Sequence, residues 1–132
     1  MTYEYFLNRS MDEIFDTTKH DYYLALSTTA PAANGTGITE PSTSGTGYTR
    51  MKIASFTDSA KGVVTNAESI IFPETTNAWG VVTHYAVFDA LTGGHPLYSD
   101  ALKNSRPLTG PVMQLTFLAG ELKMTLRDAA AN

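Results

Sequence analysis

The run from Gly80 to Phe88 constrains the fold more than any other stretch of this chain. Val81, Thr83, Tyr85 and Val87 would point one way, and Val82, His84, Ala86 and Phe88 the other. Alternation by two is the signature of a strand, and β-branched and aromatic residues suit its pleated surface. Both sets are largely apolar, so the run predicts a strand covered on both faces, at the centre of a sheet. A chain of 132 residues has room for one domain around such a strand. At that size it buries about two thirds of the surface that its unfolded form exposes.

The segments around this run also have short periods. Tyr22, Leu24 and Leu26 alternate with Tyr23, Ala25 and Ser27, which predicts a strand with one buried face, closed by Pro31. Thr49, Met51 and Ile53 alternate with Arg50, Lys52 and Ala54, and short strands are expected at Val63-Val64-Thr65 and from Ser69 to Phe72. Another is expected from Pro96 to Leu102, after the turn Thr92-Gly93-Gly94. Near the end, Met113, Leu115 and Phe117 face Leu122, Met124 and Leu126 across Ala119-Gly120. That spacing predicts a closing hairpin whose apolar sets share one core. The tail from Asp128 to Asn132 is expected to fray.

Two segments break the pattern. Tyr3, Phe6, Leu7, Ile14 and Phe15 recur at three- and four-residue steps, with Met11 near the same stripe and Thr2 as a candidate N-cap. A helix this short is marginal alone, so its apolar face must dock on its own β core or on another chain. Residues 30–47 are nearly all Gly, Pro, Ser, Thr, Ala and Asn, and a stretch this long without periodicity is functional or mobile rather than core. The expected organisation is a helical arm over 1–20 and a β domain over 21–132 carrying the Gly/Thr loop 30–47. The fold class is mostly β: an antiparallel sandwich or jelly roll with an N-terminal amphipathic helix. No βαβ alternation supports a parallel sheet.

Composition removes several functions. Charged residues are only 17% of the chain and the net charge is −4, which speaks against a basic nucleic-acid binder. Hydrophobic residues at 42% are too many for a disordered chain. With no cysteine there is no disulfide framework, thiolate metal site or cysteine nucleophile. No apolar run approaches the ~20 residues that span a bilayer, and Met1-Thr2-Tyr3-Glu4 does not read as a signal peptide.

The motifs tested for chemistry fail on context. Gly45-Thr46-Gly47-Tyr48-Thr49-Arg50 begins like a dinucleotide fingerprint, but the third glycine is missing and a strand follows where the anion site needs a helix N-terminus. His20, His84 and His95 form no zinc-binding spacing. His84 reads as a hydrogen-bonded structural residue and His95 as an exposed turn residue. Ser99, Asp100 and His84 could be combined on paper, without the nucleophile elbow that a serine hydrolase of that type needs. Asp12-Glu13 reads as a solvated helix face, and Trp79 as a core anchor. No catalytic, cofactor-binding or metal residue is assigned, and the chain is not read as an enzyme. A small hydrolase built on His84 is the outlying alternative.

A resemblance goes further than these patterns. Phe72-Pro73, Trp79 to Ala90, Thr92-Gly93-Gly94 and Leu97-Tyr98 together resemble a tract of small tailed-bacteriophage virion proteins, labelled tail-fibre-like or head decoration proteins. The helix Tyr5 to Phe15, the strand Tyr23 to Thr28, the loop Gly35 to Arg50 and the Ala119 to Leu122 hairpin are similar to further parts of that family. The resemblance implies a structural virion protein with no cofactor. A capsid decoration or cement protein on the capsid surface is the first reading, and a tail-associated, tail-fibre-like host-binding module is the alternative. It would be made in the bacterial host cytoplasm. Its partners would be the major capsid protein or other virion proteins, with neither nucleic acid nor membrane contacted. Closed symmetry favours a homo-oligomer, and a trimer suits a three-fold position on a shell. The expected contact residues are Tyr3, Phe6, Leu7, Ile14 and Phe15 on the helix, and Thr36, Ile38, Thr46 and Tyr48 in the loop.

Overall fold

The computed structural model describes residues 3–60 and 62–125. Within them the chain is mostly β and antiparallel, with one helix, α1 (Glu4–Ile14), at the start. Strands β1 (Tyr23–Ser27), β2 (Met51–Lys52), β5 (Gly80–Phe88) and β6 (Pro96–Leu108) form one sheet in the order β2-β1-β5-β6. The remaining strands make two ribbons: β3 (Val63–Thr65) with β8 (Lys123–Thr125), and β4 (Ile70–Ile71) with β7 (Thr116–Phe117). No second four-stranded sheet forms among the described residues.

β5 lies between β1 and β6, as its doubly apolar pattern requires. Its two faces do not follow a single alternation. Leu102–Ser105 of β6 lie opposite Thr83 alone, between the pairs His84↔Ala101 and Val82↔Arg106. The extra residues of this bulge lie in β6, and the ladder irregularity coincides with the point where the alternation of β5 breaks. Val82 therefore joins Tyr85 and Val87 in the main core, and Val81 is left exposed. β6 continues past the expected Leu102 to Leu108 because it resumes pairing beyond the bulge.

β1 corrects a one-faced expectation. Leu24 and Leu26 enter the main core, while Ala25 on the other face sits opposite Ala86 and is also fully buried. Two alanines side by side leave a hollow on the outer face. Ile38 from the long loop fills it, packing with Ala25, Ala86 and Phe88. The strand around residue 51 is also shorter than its alternation suggests. Only Met51–Lys52 pairs, and Arg50 is buried while Thr49 is exposed.

The C-terminal runs do not pair with each other. A tight turn joins them, with the Glu121 amide donating to the Leu118 carbonyl and Gly120 at φ +87°. Then β7 goes to β4 and β8 to β3, so the turn joins two two-stranded ribbons at a bend rather than closing a terminal hairpin. Asn66 fills the bend. Its amide nitrogen donates to the carbonyls of Glu68 (2.7 Å) and Leu118 (3.1 Å), and its Oδ1 accepts from the amides of Gly120 (3.2 Å) and Leu122 (3.0 Å). Leu115, Phe117, Leu122 and Met124 do share one core, whereas Leu126 and the tail lie outside the described residues.

That core fills the space between sheet and ribbons. Leu24, Leu26, Val82, Tyr85 and Val87 meet Val64, Ile70, Phe72, Phe117, Leu122 and Met124. Burying each large side chain stabilises the fold by about 1.5–3 kcal/mol. Tyr22 marks one end of β1, and Trp79, whose amide donates to the Leu108 carbonyl at 2.8 Å, marks the other end of the sheet. At about 3.3 Å per residue, the length of β5 separates these two poles by roughly 30 Å.

Candidate interaction surfaces

At the first pole, α1 docks on its own chain. Met11 is buried, and the Phe15 ring packs at a tilt 5.5 Å from Tyr22 and 5.0 Å from Phe56. Polar contacts fix the orientation. Asn8 Oδ1 accepts from Ser59 Oγ (2.9 Å) and the Gly62 amide (2.8 Å), and Asp12 Oδ1 accepts from the Ser59 amide (2.6 Å). The Tyr22 hydroxyl donates to the Ile14 carbonyl near the helix end. Thr2 lies outside the described residues, and Tyr3 takes the N-cap position without a side-chain cap bond.

The apolar stripe is wider than this seam. At 3.6 residues per turn, Leu7, Met11 and Phe15 face inward, while Tyr3, Phe6 and Ile14 lie on the adjoining flank. Phe6 is 65% exposed, and Tyr3 and Ile14 are exposed with it. Of the five helix residues expected to make contacts, Leu7 is half-buried, Phe15 is half-buried against the core, and Tyr3, Phe6 and Ile14 are exposed.

The long loop is irregular but built. The Thr28 amide donates to the Thr39 carbonyl (2.9 Å) and the Thr39 amide to Ser27 Oγ (3.1 Å), clipping its first arm to the end of β1. Its second arm closes through Thr46, whose carbonyl accepts from Trp79 Nε1 (2.8 Å) and the Thr76 amide (2.9 Å). Gly47 passes so close to the Glu74 carbonyl that a Cβ would stand 3.0 Å from it, at φ +78°. Glycine satisfies both demands.

Four residues were expected to offer this loop to a partner, and the structure separates them. Thr36 is exposed and Ile38 is half-buried against the outer sheet face. Thr46 and Tyr48 are buried, Tyr48 at 4% exposure, with its ring 5.3 Å from Trp79. Those two hold the loop in place from inside.

Two residues that the motif search passed over organise the loop. Glu40 and Arg50 are the only charged residues between Asp21 and Lys52, and that isolation was the available signal. Arg50 Nη1 donates to the carbonyls of Ala90 (2.7 Å) and Gly93 (2.8 Å), and its guanidinium lies 3.7 Å over the Phe88 ring. Tyr48 Oη donates to Glu40 Oε1 (2.6 Å) and accepts from the Leu26 amide (3.1 Å). Burial and the Glu40 carboxylate push the Tyr48 hydroxyl's pKa far above its ordinary value, so it remains a neutral donor. Burial does the same to Tyr85, whose hydroxyl donates to the Lys123 carbonyl.

The residues weighed for chemistry have structural partners. His84 Nδ1 shares a hydrogen bond with Thr83 Oγ1 (2.8 Å), and Asp100 Oδ1 accepts from the Ala101 amide (2.8 Å). Ser99 stands opposite Ala86 in the β5–β6 register. His95 is exposed and pairs with Asp89 at 3.1 Å, as its turn position suggested. Among the described residues no group of three or more His, Asp or Glu gathers that could hold a metal ion, and no helix is long and apolar enough to cross a membrane.

Comparison with known proteins agrees with a structural reading. The family described as Podophage GP4 fiber I protein gp80 matches residues 4–125, and the chain belongs to that family. No curated protein matches the chain.

Proposed function

We propose that this member of a podophage fibre protein family is a non-catalytic structural subunit of the tail-associated fibre apparatus. The match to the fibre family over residues 4–125 carries the reading. The capsid-decoration reading draws no comparable support, and the family's description fits the tail-associated alternative better. The two-pole architecture suits such a subunit. A helix with a free apolar flank lies at one pole, and a loop held by buried polar bonds presents a fixed surface along the sheet. Preorganised surfaces bind at lower entropic cost than mobile ones. In this reading Tyr3, Phe6 and Ile14 meet a neighbouring virion protein or a second copy of the chain, and the Thr36 segment is the candidate host-facing surface.

Antibody labelling of purified particles, imaged by electron microscopy, tests this. Label at the fibres is expected. Label spread over the head would return the reading to capsid decoration, and particles without label would remove the virion assignment.

A further inference from the structure

At the second pole the turn after β6 holds an unusual crest. Val112 has φ +60°, and it is the only non-glycine residue with positive φ among the described residues. A β-branched side chain crowds its own backbone there, so this is a genuine outlier. Val112 is also 76% exposed, more than any other large apolar side chain described. Nothing in the packing of the described residues asks for a valine at that point, whereas Gly or Asn would adopt the turn without strain.

The strain is held from beneath by a buried threonine. Thr75, only 2% exposed, donates from Oγ1 to the Gly110 carbonyl (2.7 Å) and accepts there from the Met113 amide (2.9 Å). Its backbone completes the clamp, with its amide donating to the Met113 carbonyl and its carbonyl accepting from the Val112 amide, both at 2.7 Å. Strained backbone persists where the surroundings over-determine it, and it concentrates at functional contacts.

We propose that Val112 is an apolar knob that inserts into a socket on an adjoining protein subunit of the fibre apparatus. This rests on the fibre reading above. The chemistry of the crest selects a protein socket. Thr109 to Gln114 carries no charge and no aromatic ring. An anionic surface would call for charged partners, and a glycan for aromatic rings beside polar groups. A tip-to-tip contact between two copies would bury one turn from each, well short of the ~1,200 Å² of a stable interface. Together with the fibre reading, this places the socket on a different subunit, with the knob as the anchor of a larger contact whose rim excludes water.

The test compares particles assembled with wild-type chain, Val112→Asn and Val112→Ile, counting particle-bound copies by quantitative immunoblot. The melting temperature of each purified chain is measured in parallel. Asn relieves the backbone and removes the knob, so the expected result is a melting temperature no lower than wild type with loading about 30-fold weaker, the loss of one interface anchor. Ile keeps an apolar crest and should load as wild type. If Asn lowers the melting temperature, Val112→Gly takes its place. Normal loading of a stable Asn or Gly variant overturns the proposal. So does normal loading with lost adsorption to host cells, because the crest would then face the host. Wild-type chain missing from purified particles would instead defeat the fibre reading itself, which separates the two failures.

Discussion

Arg50 grips both carboxylate oxygens of Glu40, Nε to Oε1 at 3.0 Å and Nη2 to Oε2 at 2.9 Å. The arginine side chain is 7% exposed and the glutamate 25%, so the pair is sheltered from screening solvent. Through it the loop 30–47 is bound to the turn after β5, whose carbonyls take the other end of the guanidinium. A planar fork is needed for this, because an ammonium cannot hold two oxygens and two carbonyls in fixed directions. Arg50→Ala should therefore cost about 3 kcal/mol, the lower end for breaking a buried pair and leaving its partners unsatisfied. Arg50→Lys should recover less than half of that loss. Urea unfolding of the three proteins measures both.

The same pair sets an acid limit. Burial by itself would raise the Glu40 pKa, but hydrogen bonds from Arg50 and Tyr48, with the Arg50 charge, outweigh it and hold the pKa below its ordinary value of 4.5. A carboxylate with a depressed folded-state pKa contributes stability that is fully present above the unfolded value and is lost as pH falls through the folded one. Stability should thus decline below pH 4.5 partly through Glu40. Glu40→Gln should be less stable at neutral pH and should show a shallower decline across the acid range. Equal slopes for the two proteins would show that Glu40 does not set this limit.

What could be read from the sequence was what depends on local periodicity. The doubly apolar run placed β5 at the centre, and the three- and four-residue spacing placed α1, because neighbours along the chain decide both. What escaped depends on partners distant in sequence. The bulge opposite Thr83 is set by the length of β6, and Ala25 is buried because Ala86 and Ile38 come to it. The Ala119-Gly120 turn was legible, yet Lys123 and Thr116 found partners in β3 and β4 rather than in each other's strands. Tyr48 read as a loop residue, and the ring contacts with Trp79 and Phe72 that bury it could not be seen from spacing.

Asn66 makes four side-chain hydrogen bonds where the two ribbons meet, so its loss should be felt well beyond one side chain. Asn66→Ala leaves the buried Leu122 amide without its side-chain partner at a position that is 1% exposed, and takes one of two donors from the Leu118 carbonyl, which keeps the Glu121 amide. A buried group left unpaired costs about 1–3 kcal/mol, and a loss of roughly 2 kcal/mol is expected on that scale. Hydrogen exchange should quicken at the Gly120 and Leu122 amides before it does in β5. Unchanged protection at Leu122 would show that the bend is held by the strands alone.

The helix offers a way to separate folding from assembly. Deleting residues 1–15 would strip Phe15 from Tyr22 and Phe56 and uncover the core, so a lost contact with the particle could follow from instability alone. Two point changes avoid this. Met11→Ala empties a buried site and should cost about 2–4 kcal/mol with no direct effect on the outer flank. Phe6→Ser acts on a side chain that is largely in water and should change stability by less than about 0.5 kcal/mol. If the flank of Tyr3, Phe6 and Ile14 is a contact surface, Phe6→Ser should lower the number of particle-bound copies although the purified protein melts as wild type. Met11→Ala should lose copies only as far as its melting temperature falls. Loading that follows stability alone in both variants would confine the helix to its role within the fold.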